Sequence, residues 1–292
     1  MLACDDSIQA DAVTLGGRLG VPVLTAQRLY FPSTGEWSSW APAIPSSSRV
    51  LMIASMRDDV HVGLLIAAQI AAGLQKQGVR EISLLVPLLP YARSDRPASD
   101  LAARGIDVFV ETLLRAGITT VITLDLHSPP QGELEEALVS LPTVDPLMRA
   151  VTAAQVVATT VILPDRGALA RVGDDLAAFT IVTVDKQRIS DSEVAITFVG
   201  DARIVGSVLI FDDALFTGMT HAAVAARAIQ LGASEVHLAV THALPTPGAL
   251  DALASAGVSS LTHLATTPWQ NRSPLTVRST RWSERIDLQV FT

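Results

Sequence analysis

From Arg49 onward, short runs of consecutive apolar residues alternate with longer stretches whose apolar positions recur at helical spacing. The run Arg49 to Ser55 is followed by a helical pattern over Val60 to Lys76, then by a second apolar run from Glu81 to Pro87. Thr119 to Asp125, Thr159 to Pro164, Ser207 to Asp213 and Glu235 to Thr241 repeat the first kind of segment. Short runs without polar alternation predict strands buried on both faces, and the patterns between them predict the covering helices. That order predicts βαβ units and a mainly parallel sheet.

The strands are numerous for one sheet, and the stretch Leu141 to Pro146 places two prolines between patterns. A domain boundary is expected there, giving domains 1–145 and 146–292. The halves share an outline without being a sequence repeat, since each has a strand ending in acidic and hydroxyl or imidazole residues: Thr123 to His127 and Phe211 to Asp213. Three segments fit neither helix nor strand: Arg28 to Ser48, rich in Pro, Ser and Gly; the charged stretch Pro90 to Gly105; and the polar link Lys186 to Glu193. Ligands of open α/β sheets sit beyond the carboxyl ends of strands, so chemistry is expected on such loops.

Composition narrows the partners. A net charge of −8, from 21 Lys and Arg against 29 Asp and Glu, argues against a basic groove for polymeric nucleic acid but leaves small phosphorylated ligands open. With one cysteine, Cys4, the chain has no intrachain disulfide and no cysteine zinc cage. Together with the lack of a charged-then-apolar leader, this points to the cytoplasm. The longest apolar stretches, such as Val151 to Leu163, are interrupted by Thr and Gln and predict no membrane span.

The segment Val208 to Thr220 carries the strongest chemical signal. A buried strand ends in Asp212 and Asp213, and Thr217, Gly218 and Thr220 follow as a helix over Ala222 to Leu231 begins. Helix-start N–H groups lack helical partners and carry the positive end of the dipole, and glycine lets backbone approach an anion closely. Two threonine hydroxyls add donors for a phosphate, and two carboxylates can accept from the hydroxyls of a vicinal diol. The plainer explanation, a helix capped by Thr217 or Thr220, accounts for the threonines but not for two aspartates at the end of a hydrophobic strand.

This loop resembles the phosphoribosyl-pyrophosphate loop of type I phosphoribosyltransferases, in which two acids and three variable residues precede Thr-Gly-x-Thr. Further segments, in order from about Tyr30 to His242, resemble the ribose-phosphate diphosphokinase (phosphoribosyl-pyrophosphate synthetase) family. Pro90 to Arg96 is similar to its Tyr-Ala-Arg-Gln-Asp-Arg segment, and Thr123 to His127 with Gln131 and Gly132 to its Asp-Leu-His segment. Pro164 to Gly167 with Arg171 is similar to Pro-Asp-x-Gly-Gly, Asp185 to Arg188 to Asp-Lys-Arg-Arg, and Tyr30 to Glu36 to Phe-Ser-Asp-Gly-Glu, with Thr241 and His242 following.

The resemblance implies two similar phosphoribosyltransferase-like α/β domains and Mg2+-dependent transfer of diphosphate from ATP to ribose 5-phosphate. It implies that Arg93, Asp95 and Arg96 grip ATP, with Phe31 and Glu36 at the adenine. His127 would touch ATP and ligate a magnesium, Asp165 would ligate a second, and Lys186 and Arg188 would be catalytic cations on the transferred group. Asp212, Asp213, Thr217, Gly218 and Thr220 would hold ribose 5-phosphate. A homo-oligomer, dimer or hexamer, is implied as well.

The match departs at several points, with the Tyr30 to Glu36 segment off by one in spacing and Thr34 standing where the family has its acid. Phe216 replaces a third loop aspartate, Met219 a glycine, Ala168 a glycine and Ser94 a glutamine, and the loop after His127 is one residue shorter. Phe216 removes an acceptor beside the sugar, and Met219 puts a side chain where bare backbone would meet phosphate. Two other readings therefore stand beside the enzyme: a non-catalytic regulatory paralogue, and a phosphotransferase on a related sugar phosphate.

Overall fold

A computed structural model describes residues 1–56, 59–94, 99, 101–188, 194–199, 204–267, 269 and 272–287, with backbone alone at 166, 186–188 and 194–195. Contacts divide the chain into two units, Met1–Pro142 and Thr143–Trp282, with the stretch from Ser283 joining the first. The expected second domain, 146–292, thus loses its last segment. The reason is a set of bonds to the first helix: Arg18 donates to the carbonyls of Ser283 and Ile286 at 2.8 and 2.9 Å, and Ser283 Oγ donates to the buried Asp11 at 2.6 Å.

In the first unit the elements run β1 (Leu2–Ala3), α1 (Gln9–Leu19), β2 (Leu24–Thr25), β3 (Gln27–Phe31), β4 (Glu36–Trp40) and β5 (Arg49–Ile53). They continue with α2 (Val60–Lys76), β6 (Glu81–Leu85), α3 (Gly105–Arg115), β7 (Thr120–Leu124) and β8 (Leu138–Leu141). A fully parallel sheet has the order β2-β1-β5-β6-β7-β8. Ile66, Ile70 and Leu74 of α2 and Phe109, Val110 and Leu113 of α3 pack on Val50, Met52, Ile82, Leu84 and Val121 of the strands. Each such fully buried side chain contributes about 1.5–3 kcal/mol relative to exposure.

In the second unit α4 (Val144–Ala153), β9 (Thr160–Leu163), α5 (Arg166–Val172), β10 (Thr180–Arg188) and β11 (Val194–Phe198) precede β12 (Gly206–Leu215) and α6 (Met219–Gln230). The unit closes with β13 (Ala233–Ala243), α7 (Ala249–Ser255), β14 (Val258–Leu264) and β15 (Thr276–Thr280). The sheet order is β11-β10-β9-β12-β13-β14-β15, parallel except for the edge pair β10 and β11. Val224, Ala225 and Ala228 of α6 cover Val208, Ile210, Val236 and Leu238. The expected α/β class with parallel sheets flanked by helices is what the chain adopts, and among the described residues no helix is long and apolar enough to cross a membrane.

Two segments expected to be irregular contain strands. Within Arg28 to Ser48, β3 and β4 pair antiparallel as a hairpin, with Phe31 opposite Glu36 and Tyr30 opposite Trp37. Its Pro and Gly are confined to the turn, where Gly35 takes φ +74° and the Thr34 and Gly35 N–H groups donate to the Phe31 carbonyl. The polar link from Lys186 likewise begins as strand: β10 runs on to Arg188, with Lys186 opposite Ile196 and Arg188 opposite Val194. An antiparallel partner on the sheet edge satisfies the backbone of polar residues as well as of apolar ones, which hydrophobicity alone does not reveal.

Candidate functional site

In the second unit, β9 and β12 are neighbours in the sheet, and their carboxyl ends lead into α5 and α6. Asp212 and Asp213 lie within β12 rather than after it, with Asp212 in register with Val240 and Ala214 with His242. Consecutive strand residues project to opposite faces, so the two carboxylates do not leave the backbone side by side as a diol clamp would suggest. Asp212 shares the parity of Val208 and Ile210, the residues covered by α6.

Asp212 is tightly held. His221, in the first turn of α6, has Nε2 2.9 Å from Asp212 Oδ2; the Asp213 N–H donates to Oδ1 at 2.9 Å; and Arg171 of α5 approaches Oδ1 at 3.7 Å. Burial pushes the Asp212 carboxyl above the usual carboxylate range, the hydrogen bond with His221 opposes that rise, and the neighbouring Asp213 adds to it. Asp213 is itself buried.

Phe216, Thr217 and Gly218 link β12 to α6. Gly218 is the N-cap, at φ +71° and ψ −3°, and as a glycine it supplies no side-chain cap. A Cβ there would sit 3.3 Å from the Ala249 carbonyl and 3.5 Å from Leu253, so both the left-handed backbone and the packing on α7 require glycine. The loop is tied down by the Leu244 N–H donating to the Leu215 carbonyl and the Thr246 N–H to the Phe216 carbonyl. Thr217 is exposed, Thr220 half-buried, and Met219 stands out at the helix start with 38% exposure. This combination, a rigid helix start at a glycine with two hydroxyls beside it, suits an anion.

The other expected site residues fall as follows. Asp165 is the N-cap of α5, its Oδ1 accepting from the Ala168 N–H at 2.8 Å, so its carboxylate already serves the helix. Thr241 and His242 point into the packed unit: their side chains meet Thr143 Oγ1 at 2.7 Å and Thr266 Oγ1 at 2.9 Å. Lys186 and Arg188 occupy alternate positions of β10, and their side chains lie outside the described residues.

In the first unit, His127 is half-buried just past the end of β7, after Asp125, which takes φ +44° and donates its N–H to the Leu141 carbonyl at 3.0 Å. Arg93 is exposed on a turn closed by the Ser94 N–H donating to the Tyr91 carbonyl at 2.8 Å; Asp95 and Arg96 lie outside the described residues. Phe31, 42% exposed, and Glu36 flank the hairpin turn, and Thr34 Oγ1 donates to Glu36 Oε2 at 2.8 Å. Among the described residues no group of three or more His, Cys, Asp or Glu gathers as a metal cage. Single ligands such as His127 and Asp165 suit an ion carried in on phosphate oxygens, as Mg2+ usually is.

One residue escaped the sequence reading. His221 lies on the stripe of α6 that includes Val224, Ala225 and Ala228, all buried. A histidine on an otherwise apolar stripe signals a buried polar partner, and that periodicity was available.

No protein-family model matches the chain. The fold places it in a class first: α/β units with largely parallel sheets flanked by helices, an architecture also seen in phosphoribosylpyrophosphate synthetase from Mycobacterium smegmatis, at TM-score 0.78 and 20% identity over 96% of this chain and 94% of that one. Ribose-phosphate pyrophosphokinase from Sulfurisphaera tokodaii is 28% identical over 267 residues, covering 89% of this chain and 90% of the relative. The enzyme of the same name from Saccharolobus solfataricus is 28% identical over 83% of this chain, and that from Ureaplasma parvum 30% identical over 70% of this chain and 64% of the relative. The chain is a divergent relative of the ribose-phosphate diphosphokinases.

Proposed function

We propose that this protein transfers diphosphate from ATP to the anomeric hydroxyl of ribose 5-phosphate, giving phosphoribosyl pyrophosphate and AMP. The observation that carries the reading is the glycine-started helix α6 directly after a strand bearing Asp212 and Asp213, in a chain whose relatives are named for that activity. Thr217, Gly218 and Thr220 take the 5-phosphate, and Asp212 accepts from a sugar hydroxyl. The anomeric oxygen attacks the β-phosphorus in line, the bond from that phosphorus to the α-phosphate oxygen breaks, AMP leaves with the electron pair, and the hydroxyl proton passes to solvent.

Such a reaction needs positioned reactants and positive charge on the phosphoryl oxygens. Lys186 and Arg188 supply that charge, and Arg93, Asp95, Arg96, His127, Phe31 and Glu36 hold ATP. His127 would hold one magnesium ion and Asp165 a second, and ions held there would supply positive charge to the phosphate oxygens. A cytoplasmic homo-oligomer, dimer or hexamer, goes with this reading.

Purified protein incubated with Mg2+, ATP and ribose 5-phosphate yields AMP and the pyrophosphorylated sugar. Lys186→Ala lowers turnover by about 10²- to 10³-fold, as loss of one transition-state contact does, at unchanged melting temperature. An unchanged rate removes Lys186 from the reaction. Phe216 and Met219 favour a second reading, a regulatory paralogue without catalysis; binding of ribose 5-phosphate with no AMP formed from any pentose phosphate selects it over the enzyme. AMP formed only with another pentose phosphate selects the related phosphotransferase.

A further inference from the structure

His221 is 5% exposed, and only one of its ring nitrogens is engaged: Nε2 faces Asp212 Oδ2 at 2.9 Å, while the buried Nδ1 has no hydrogen-bond partner among the described residues. That asymmetry selects a protonation state. An imidazolium would bury an unsatisfied Nδ1–H, as would the Nδ1–H tautomer facing a protonated Asp212, and burying an unpaired donor is costly. The arrangement with least cost is a neutral ring donating Nε2–H to an ionised carboxylate.

An aliphatic residue would suit the stripe of Val224, Ala225 and Ala228 without any polar burial, so the histidine is explained by what it does to Asp212. With Oδ2 fixed by His221 and Oδ1 by the Asp213 N–H, the carboxylate cannot rotate, and each oxygen retains one further lone-pair direction. The side chain of Asp212 is 15% exposed, enough to present an edge to a ligand. The charged and titratable groups facing it are His221, Asp213 and Arg171.

Building on the ribose 5-phosphate reading, we infer that His221 is a positioning residue that holds Asp212 as a fixed, ionised acceptor for one ring hydroxyl of the pentose, and so sets the preference for ribose over the deoxy sugar lacking that hydroxyl. The ring itself touches no substrate. Removing its hydrogen bond lets Asp212 rotate and leaves burial to hold its proton longer, so the carboxylate forms only at higher pH.

The test is calorimetric binding of ribose 5-phosphate, 2-deoxyribose 5-phosphate and 3-deoxyribose 5-phosphate to the full chain, wild type, H221L and H221Q. H221L weakens ribose 5-phosphate about tenfold or more, binds one of the two deoxy sugars as wild type does, and loses affinity on acidification at a higher pH than wild type. H221Q, which keeps a donor near the Nε2 position, recovers most of the affinity. Equal penalties on all three sugars, or no penalty on ribose 5-phosphate, overturn the inference and leave the proposed function standing; failure of the wild type to bind ribose 5-phosphate overturns both. Should H221L not fold, the imidazole resonances of the wild type decide: the neutral Nε2–H tautomer is expected, and the Nδ1–H tautomer or an imidazolium at pH 7 overturns the inference.

Discussion

The two units contain the same junction built to opposite ends. In each, a strand inside a parallel sheet runs into a long helix: β5, between β1 and β6, into α2, and β12, between β9 and β13, into α6. At the start of α2, Asp59 is an extended N-cap whose Oδ1 accepts from the N–H groups of His61 and Val62 at 2.9 and 3.0 Å. At the start of α6 stands Gly218, left-handed, which supplies no side-chain cap. One helix start is neutralised by the chain's own carboxylate, while the other begins at a glycine and, under the proposed function, takes the phosphate. A shared topology thus leaves the choice between scaffold and binding site to a single residue at the cap.

The sharpest way to break this comparison is to import the first unit's solution into the second. Relative to the isosteric Gly218→Asn, which carries the same backbone and packing strain, Gly218→Asp is expected to weaken ribose 5-phosphate binding by about 100-fold or more, because a fixed carboxylate competes for the helix start and repels phosphate at a cost of several kcal/mol. Equal affinities in the two variants, measured by calorimetry, would remove α6 from phosphate binding.

Next in size is Asp165, a capped helix start inside the second unit itself. Asp165→Ala is expected to lower stability by about 0.5–2 kcal/mol in urea unfolding, the usual cost of a lost cap, while Asp165→Asn retains it. If Asp165 also ligates magnesium, the Asn variant stays stable yet needs more Mg2+ for turnover; an unchanged requirement leaves Asp165 as a cap alone.

A smaller effect is expected for Asp59, which is exposed and whose carboxyl is held below the usual range chiefly by the Val62 N–H. A depressed carboxylate stabilises the fold above its ordinary value of 3.8, and that contribution fades as pH falls through the lowered one. Asp59→Ala should therefore melt earlier than wild type at pH 7, converge with it in strong acid, and bind ribose 5-phosphate unchanged. A loss of sugar affinity would tie α2 to the ligand.

The smallest expected effect belongs to His263 on β14, buried between Ser279 Oγ at 2.6 Å and the Leu264 carbonyl at 3.0 Å. Burial holds its pKa below the ordinary 6.5. The unfolded chain then takes the proton first, so this contribution is present above about 6.5 and declines on acidification through that value toward the folded one. A smaller fall in melting temperature for His263→Gln than for wild type between pH 7 and pH 5 is the expected result.

Much of this was readable in advance. The helix Val60–Lys76 and the buried strands follow from apolar runs and their spacing, because local sequence sets which backbone form buries those side chains. The β3–β4 hairpin escaped, since its strands are largely exposed, mix polar with aromatic residues and draw their regularity from each other. The segment from Ser283 escaped for a related reason: its attachment to Arg18 and Asp11 spans most of the chain, and no local pattern announces a partner so distant in sequence.

At the candidate site the division is finer. The residues Asp212, Asp213, Thr217, Gly218 and Thr220 and their spacing are a property of the sequence. That the two aspartates leave opposite faces of β12 depends on how far the strand runs. That Asp165 spends a carboxylate oxygen on a cap, and that Asp212 is fixed by a histidine nine residues away, depends on helices packed over the sheet. Chemical type is carried by the chain one residue at a time; which oxygen faces which donor is fixed only when distant elements close on one another.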